Sequence, residues 1–132
     1  MAGERELRRL LAGMRPRLAQ GSWVVTSVEN RTVPAGVRAF ATVDEEEGLT
    51  LVLRRAEADA AGLPYEFVAA LITLEVHSDL AAVGLTAAVS TRLADAGISC
   101  NVLAGYFHDH LLVPSERADE AVELLRGLAS PG

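Results

Sequence analysis

Three features of the 132-residue chain predict an α+β fold. Apolar residues alternate along several short runs, as half-buried strands require, and recur at helical spacing in three others. In the second half these runs follow in the order β, α, β, β, α, which is five-sixths of the split βαββαβ, ferredoxin-like unit. In that unit two crossovers lay both helices on one face of an antiparallel sheet.

The first helix is predicted over Glu4 to Met14, where Leu7, Leu10, Leu11 and Met14 form a stripe among charged residues. Pro16 ends it or begins a new turn, and from Gly21 the pattern changes to strand, with a β-rich run from Trp23 to Val28. After the turn-forming cluster Asn30 to Gly36, Val37 to Val43 alternates as a half-buried strand. The acidic turn Asp44 to Gly48 then leads into Leu49, Leu51 and Leu53, which alternate with Thr50, Val52 and Arg54, so the two strands pair as a hairpin.

Glu57 to Ala61 is helical or irregular and is closed by Gly62 and Pro64, which divides the chain into halves 1–62 and 63–132. Phe67 to Val76 is apolar on both faces, as a central strand is. From Ala82 to Ala96, Leu85, Val89 and Leu93 mark the buried side of a helix that stops at Gly97. Ile98 to Ala104 and His110 to Val113 read as strands joined by a turn at Gly105. Ser115 is a candidate N-cap for a last helix with Ala118, Ala121, Val122, Leu125 and Leu128 on its apolar face. Each half looks incomplete by itself, so the two are expected to share or exchange a strand.

Composition narrows the function. Twelve Arg, no Lys and eighteen acidic residues give a formal charge of −6, which leaves no general phosphate-binding surface and argues against nucleic acid as partner. Five Arg and two Glu in residues 1–20 make a local +3, a charged helix followed by no apolar signal segment. The longest apolar run is far below the ~20 residues of a membrane span, so no membrane partner is expected. Cys100 is the single cysteine, which excludes an internal disulfide and points to the cytoplasm. Glycine-rich nucleotide cradles are missing, so no cofactor is implied.

The second half resembles an ACT domain in Leu74 to Thr86, in Leu93 to Ser99 and in Ala118 to Leu125. The most specific stretches are Glu46-Glu47-Gly48-Leu49-Thr50-Leu51, Val76-His77-Ser78-Asp79-Leu80, and Gly97 to Tyr106 with His108-Asp109-His110. The whole chain resembles small bacterial proteins with two ACT-like halves, similar to the tandem ACT regions of aspartokinases and of the CASTOR arginine sensors. The resemblance implies two ferredoxin-like ACT halves and non-enzymatic, regulatory binding of a small molecule, typically an amino acid, at an interface between ACT units. A homodimer and a regulated protein partner are the expected associations.

That resemblance places the ligand site in the loop from His77 to Thr86, with His77, Ser78, Asp79, Leu80, Gly84, Leu85 and Thr86 as contacts and Asn101 on a later strand. A strand that runs into a helix N-terminus offers free N–H groups to a carboxylate. Asp79, Glu46 or Glu47 would then meet the ammonium. The commonest ACT loop reads Asp, Arg or Lys, Pro, Gly, and this chain departs from it. The bland alternatives are that Ser78 or Asp79 caps the helix, that Gly84 permits close packing, and that Asn101 bonds to a turn or solvent.

Other motifs offer a different chemistry. His108 and His110, with His77 as a third ligand, form a candidate Zn²⁺ site for metal-assisted hydrolysis, against a structural role for the pair. Cys100 alternates with Ile98 and Val102, which suits a small hydrophobe better than a nucleophile. The acidic run lacks calcium-loop spacing and reads as a solvated turn.

Overall fold

The computed structural model describes residues 2–76 and 84–129. Helix α1 (Ala2–Gly13) is followed by β1 (Arg15–Leu18), β2 (Trp23–Val28), β3 (Ala41–Asp44), β4 (Leu49–Arg54), α2 (Arg55–Ala61) and β5 (Val68–Glu75). Then come α3 (Leu85–Asp95), β6 (Asn101–Ala104), β7 (Asp109–Pro114) and α4 (Ala118–Ala129). By internal contacts the chain forms two compact units, one of Met1–Ala19 with Ala70–Gly132 and the other of Gln20–Ala69.

In the larger unit β5 lies between β1 and β7, and β7 between β5 and β6. Alternation along β5 turns Ala70, Ile72 and Leu74 to one face, where they meet Leu85, Val89 and Leu93 of α3 and Ala121 and Leu125 of α4 in a single core. Helix α1 lies against α3 and α4 and adds Met14, just past its end. The element order β5, α3, β6, β7, α4 is the predicted one, and β1 supplies the strand that the second half lacks. Residues 15–18 run antiparallel to 72–75, with Pro16 opposite Leu74.

That strand corrects the expectation of a helix end or turn at Pro16. A proline cannot donate to a ladder, and Arg-Pro-Arg-Leu has no strand periodicity. It pairs here because, among the described residues, β1 is an edge strand with β5 as its one neighbour, the position that tolerates proline.

In the smaller unit β4 pairs with both β2 and β3, and β2 also pairs with the first residues of β5, Trp23 opposite Ala69 and Val24 opposite Val68. Strand β5 therefore contributes its first residues to this unit and its later ones to the other, which is the shared strand anticipated from sequence. Val24, Leu51, Leu53 and Ala58 of α2 make the buried centre.

The strand predicted over Val37 to Val43 is confined to its end, Ala41–Asp44. Val37 and Arg38 bond elsewhere, the Val37 N–H to the Pro34 carbonyl at 3.1 Å and the Arg38 N–H to Glu57 Oε1 at 2.7 Å, while the Phe40 N–H still donates to the Val52 carbonyl of β4 at 2.7 Å. Once the Glu57 carboxylate has taken that donor, the ladder cannot extend through Arg38.

Strand β6 likewise starts at Asn101, not at Ile98. Ile98 closes α3, since its N–H donates to the Leu93 carbonyl at 2.9 Å while Gly97, at φ 74°, donates to Ala94. This is a Schellman closure, with Ile98 and Leu93 both buried. Ser115 is not an N-cap; Ser115–Arg117 form a 3-10 turn without a side-chain cap bond. The Arg117 guanidinium donates instead to the Ala96 and Gly97 carbonyls at 2.9 and 3.0 Å, which ties the start of α4 to the end of α3. Among the described residues no helix is long and apolar enough to cross a membrane.

Candidate ligand-binding site

The expected ligand loop enters the described structure at Gly84; His77, Ser78, Asp79 and Leu80 lie outside the described residues. Gly84 is the residue before the first turn of α3, its φ is 103°, and its carbonyl accepts the Ala88 N–H at 2.9 Å. Because glycine has no side chain to offer, the N-cap residue itself gives the first N–H groups of α3 no side-chain cap. A Cβ at position 84 would also stand 3.4 Å from both Leu7 Cδ atoms.

Leu85 is buried in the core between α3 and the sheet, and Thr86 is exposed in the first turn of the helix. Asn101 is exposed at the start of β6, opposite Leu112. Cys100, half-buried, packs against the core beside Val102, and burial pushes its thiol pKa above the ordinary value. The thiolate is thereby disfavoured, which suits the small-hydrophobe reading.

The two described histidines are held differently. His108 lies in the turn between β6 and β7, and its Nδ1 is buried with no hydrogen-bond partner among the described residues. His110 is on β7, with Nδ1 at 2.9 Å from Thr73 Oγ1 of β5. Burial, then the charges of His108 and Arg17, lower the His110 pKa, while Asp109 acts against them. Among the described residues no group of three His, Cys, Asp or Glu side chains is disposed to hold a metal; His77, the third ligand expected, lies outside them.

Sequence reasoning missed the role of Thr73. It is a buried polar side chain flanked by Ala69 to Ile72 and Leu74, and that isolation in the apolar run was the available signal.

Comparison with known proteins agrees with this architecture. An ACT domain is matched twice, over residues 2–70 and over residues 66–127. The chain belongs to the ACT-domain family, and with it to a class of regulatory, ligand-binding domains. A Vibrio cholerae protein of unknown function is 44% identical, with a TM-score of 0.86 over 97% of this chain and 99% of its own. An Agrobacterium tumefaciens protein, 18% identical, has a TM-score of 0.65 over 88% and 89% of the two chains. The ligand-free regulatory subunit of aspartate kinase from Thermus thermophilus, 10% identical, has a TM-score of 0.65 over 88% of this chain and 97% of that one. At such identities the last two share the fold alone. No curated protein matches the sequence.

Proposed function

We propose that the protein is a non-catalytic sensor of a free amino acid, bound by the loop His77 to Thr86 and by Asn101. The observation that carries this reading is the start of α3 within a chain matched twice by the ACT family. Gly84 offers the helix's first N–H groups no side-chain acceptor of its own, and a ligand carboxylate suits that position. Asp79 takes the ammonium in this reading. Binding shifts the population of conformations that a regulated protein partner reads.

The sensor acts in the cytoplasm as a homodimer. Support for dimerisation comes from β3 and β6, each paired with one strand only among the described residues and so presenting a free edge. Halves 1–62 and 63–132 are the two ACT repeats in this reading.

A thermal-shift screen of the purified protein against the twenty amino acids, with and without chelator, tests the proposal. A concentration-dependent rise in Tm from one or a few amino acids, indifferent to chelator, is the expected result. Destabilisation by chelator without any amino-acid response would move the site to a metal at His77, His108 and His110. Silence in both arms leaves a second reading, an interaction module, which Tyr106 and Phe107 favour: these rings stack edge-on and are 79% and 75% exposed at the β6–β7 turn.

A further inference from the structure

The smaller unit contains a cleft of about 330 Å³ lined by Trp23, Arg38, Ala39, Phe40, Arg54 and Glu57. Its position follows from register. Trp23 of β2 stands opposite Arg54 of β4, and the next pair, Val24 and Leu53, points the other way into the core with Ala58. Trp23 and Arg54 therefore occupy the sheet face away from that core, at the end where β4 passes into α2.

The side chains there are arranged for recognition. The Arg54 guanidinium sits over the Trp23 ring, 5.1 Å from its centroid, and the Phe40 ring meets Trp23 edge-on at 5.7 Å. Arg54 is thus held over Trp23 by a cation–π contact, and among the described residues no side-chain hydrogen bond occupies its guanidinium. Among the described residues the ion pairs are Arg17–Glu75, Arg31–Asp44, Arg117–Glu120 and Arg126–Glu123, and neither Arg38 nor Arg54 takes part in one. Trp23 is buried, and its indole N–H has no acceptor among the described residues.

We propose that this cleft is a binding site for a small organic monoanion with a planar apolar body, of the aromatic carboxylate class. Arg38 and Arg54 donate to the carboxylate, while Phe40 and Ala39 form the wall against which the planar body lies. With Glu57 counted, the cleft carries a formal +1 in a chain of −6, which matches a single negative charge. An amino-acid zwitterion fits poorly, because its ammonium would stand beside two guanidiniums and Glu57 already accepts from the Arg38 N–H. An inorganic anion would leave the aromatic wall unused. The site stands independently of the amino-acid loop.

Trp23 is the single tryptophan of the chain, so its fluorescence reports this cleft alone. Titration of the full chain with benzoate, cyclohexanecarboxylate and inorganic phosphate, checked by calorimetry, tests the assignment. Benzoate is expected to give a saturable change at lower concentration than either of the others. Arg38→Gln and Arg54→Gln, both at exposed positions, are each expected to raise the benzoate Kd about tenfold or more with an unchanged circular dichroism spectrum. Asp79→Asn is expected to leave it unchanged. No saturable response to benzoate, equal affinity for phosphate or cyclohexanecarboxylate, an unaltered midpoint in Arg38→Gln, or loss of binding in Asp79→Asn would each overturn the proposal.

Discussion

Gly105 and Gly127 show how far the consequence of one methyl group depends on its surroundings. A Cβ at Gly105 would lie 2.7 Å from the His108 carbonyl oxygen, the atom that accepts the Gly105 N–H and closes the β6–β7 turn. At Gly127, exposed within α4, a Cβ meets nothing within 4 Å. Gly127→Ala is therefore expected to stabilise the protein by about 0.5–1 kcal/mol, and Gly105→Ala to destabilise it, both measured by urea denaturation. A stabilising Gly105→Ala would mean that the turn yields freely. Gly84 obeys the same physics, since its positive φ and the nearby Leu7 penalise any side chain whatever the loop binds. Substitution there cannot separate binding from folding, and Thr86 and Asn101, both exposed, are the better probes.

His110 belongs to the residue scale as well. Its folded pKa is lowered, so between that value and the unfolded value of about 6.5 the unfolded chain binds more protons. Its contribution to stability is complete above that window and declines as pH falls through it. The groups around it are His108, Asp109, Arg17 and the Thr73 hydroxyl. Denaturation midpoints are expected to fall between neutral and mildly acidic pH, with a shallower fall in His110→Gln. Identical pH profiles for the two proteins would assign the acid sensitivity to other groups.

At the scale of elements, α3 is held by its stripe more than by its ends. Leu85, Val89 and Leu93 are all buried, while Gly84 gives the N-terminus no cap. Leu93 serves twice, as a fully buried side chain and through its carbonyl, which accepts from Ala96 and Ile98. Leu93→Ala keeps the carbonyl and empties the core position, so a loss of about 2–5 kcal/mol is expected in chemical denaturation. A loss below about 1 kcal/mol would show that the core collapses into the space.

At the scale of the whole molecule, the order of elements along the chain differs from their grouping in space. Residues 1–19 belong with 70–132, because β1 occupies the place beside β5 that a final strand would take and Met14 is buried in that core. Removal of residues 1–19 is expected to abolish the cooperative unfolding of the larger unit, followed by near-ultraviolet circular dichroism and amide exchange. Retention of a sharp transition with protected α3 and α4 amides would show that β1 is dispensable.

Local pattern was sufficient wherever burial, on one face or on both, dictates the residues. The stripes of α3 and α4, the alternation of β4 and the apolar run of β5 were legible for that reason, and so was the need for a shared strand, from counting elements. Arg-Pro-Arg-Leu became a strand because β5 had a free edge to pair with, a fact absent from those four residues. Arg38 left its predicted strand because a carboxylate nineteen residues away took its N–H. Thr73 and His110, thirty-seven residues apart, and Trp23 with Arg54 met through strand register. The sequence by itself determined the α+β class and the core, since these depend on the spacing of apolar residues along one segment, whereas the candidate loop rests on the resemblance to ACT domains. Only the tertiary structure decided which strand completes which unit and which polar groups face one another, because those outcomes depend on the partners that distant segments bring within hydrogen-bonding distance.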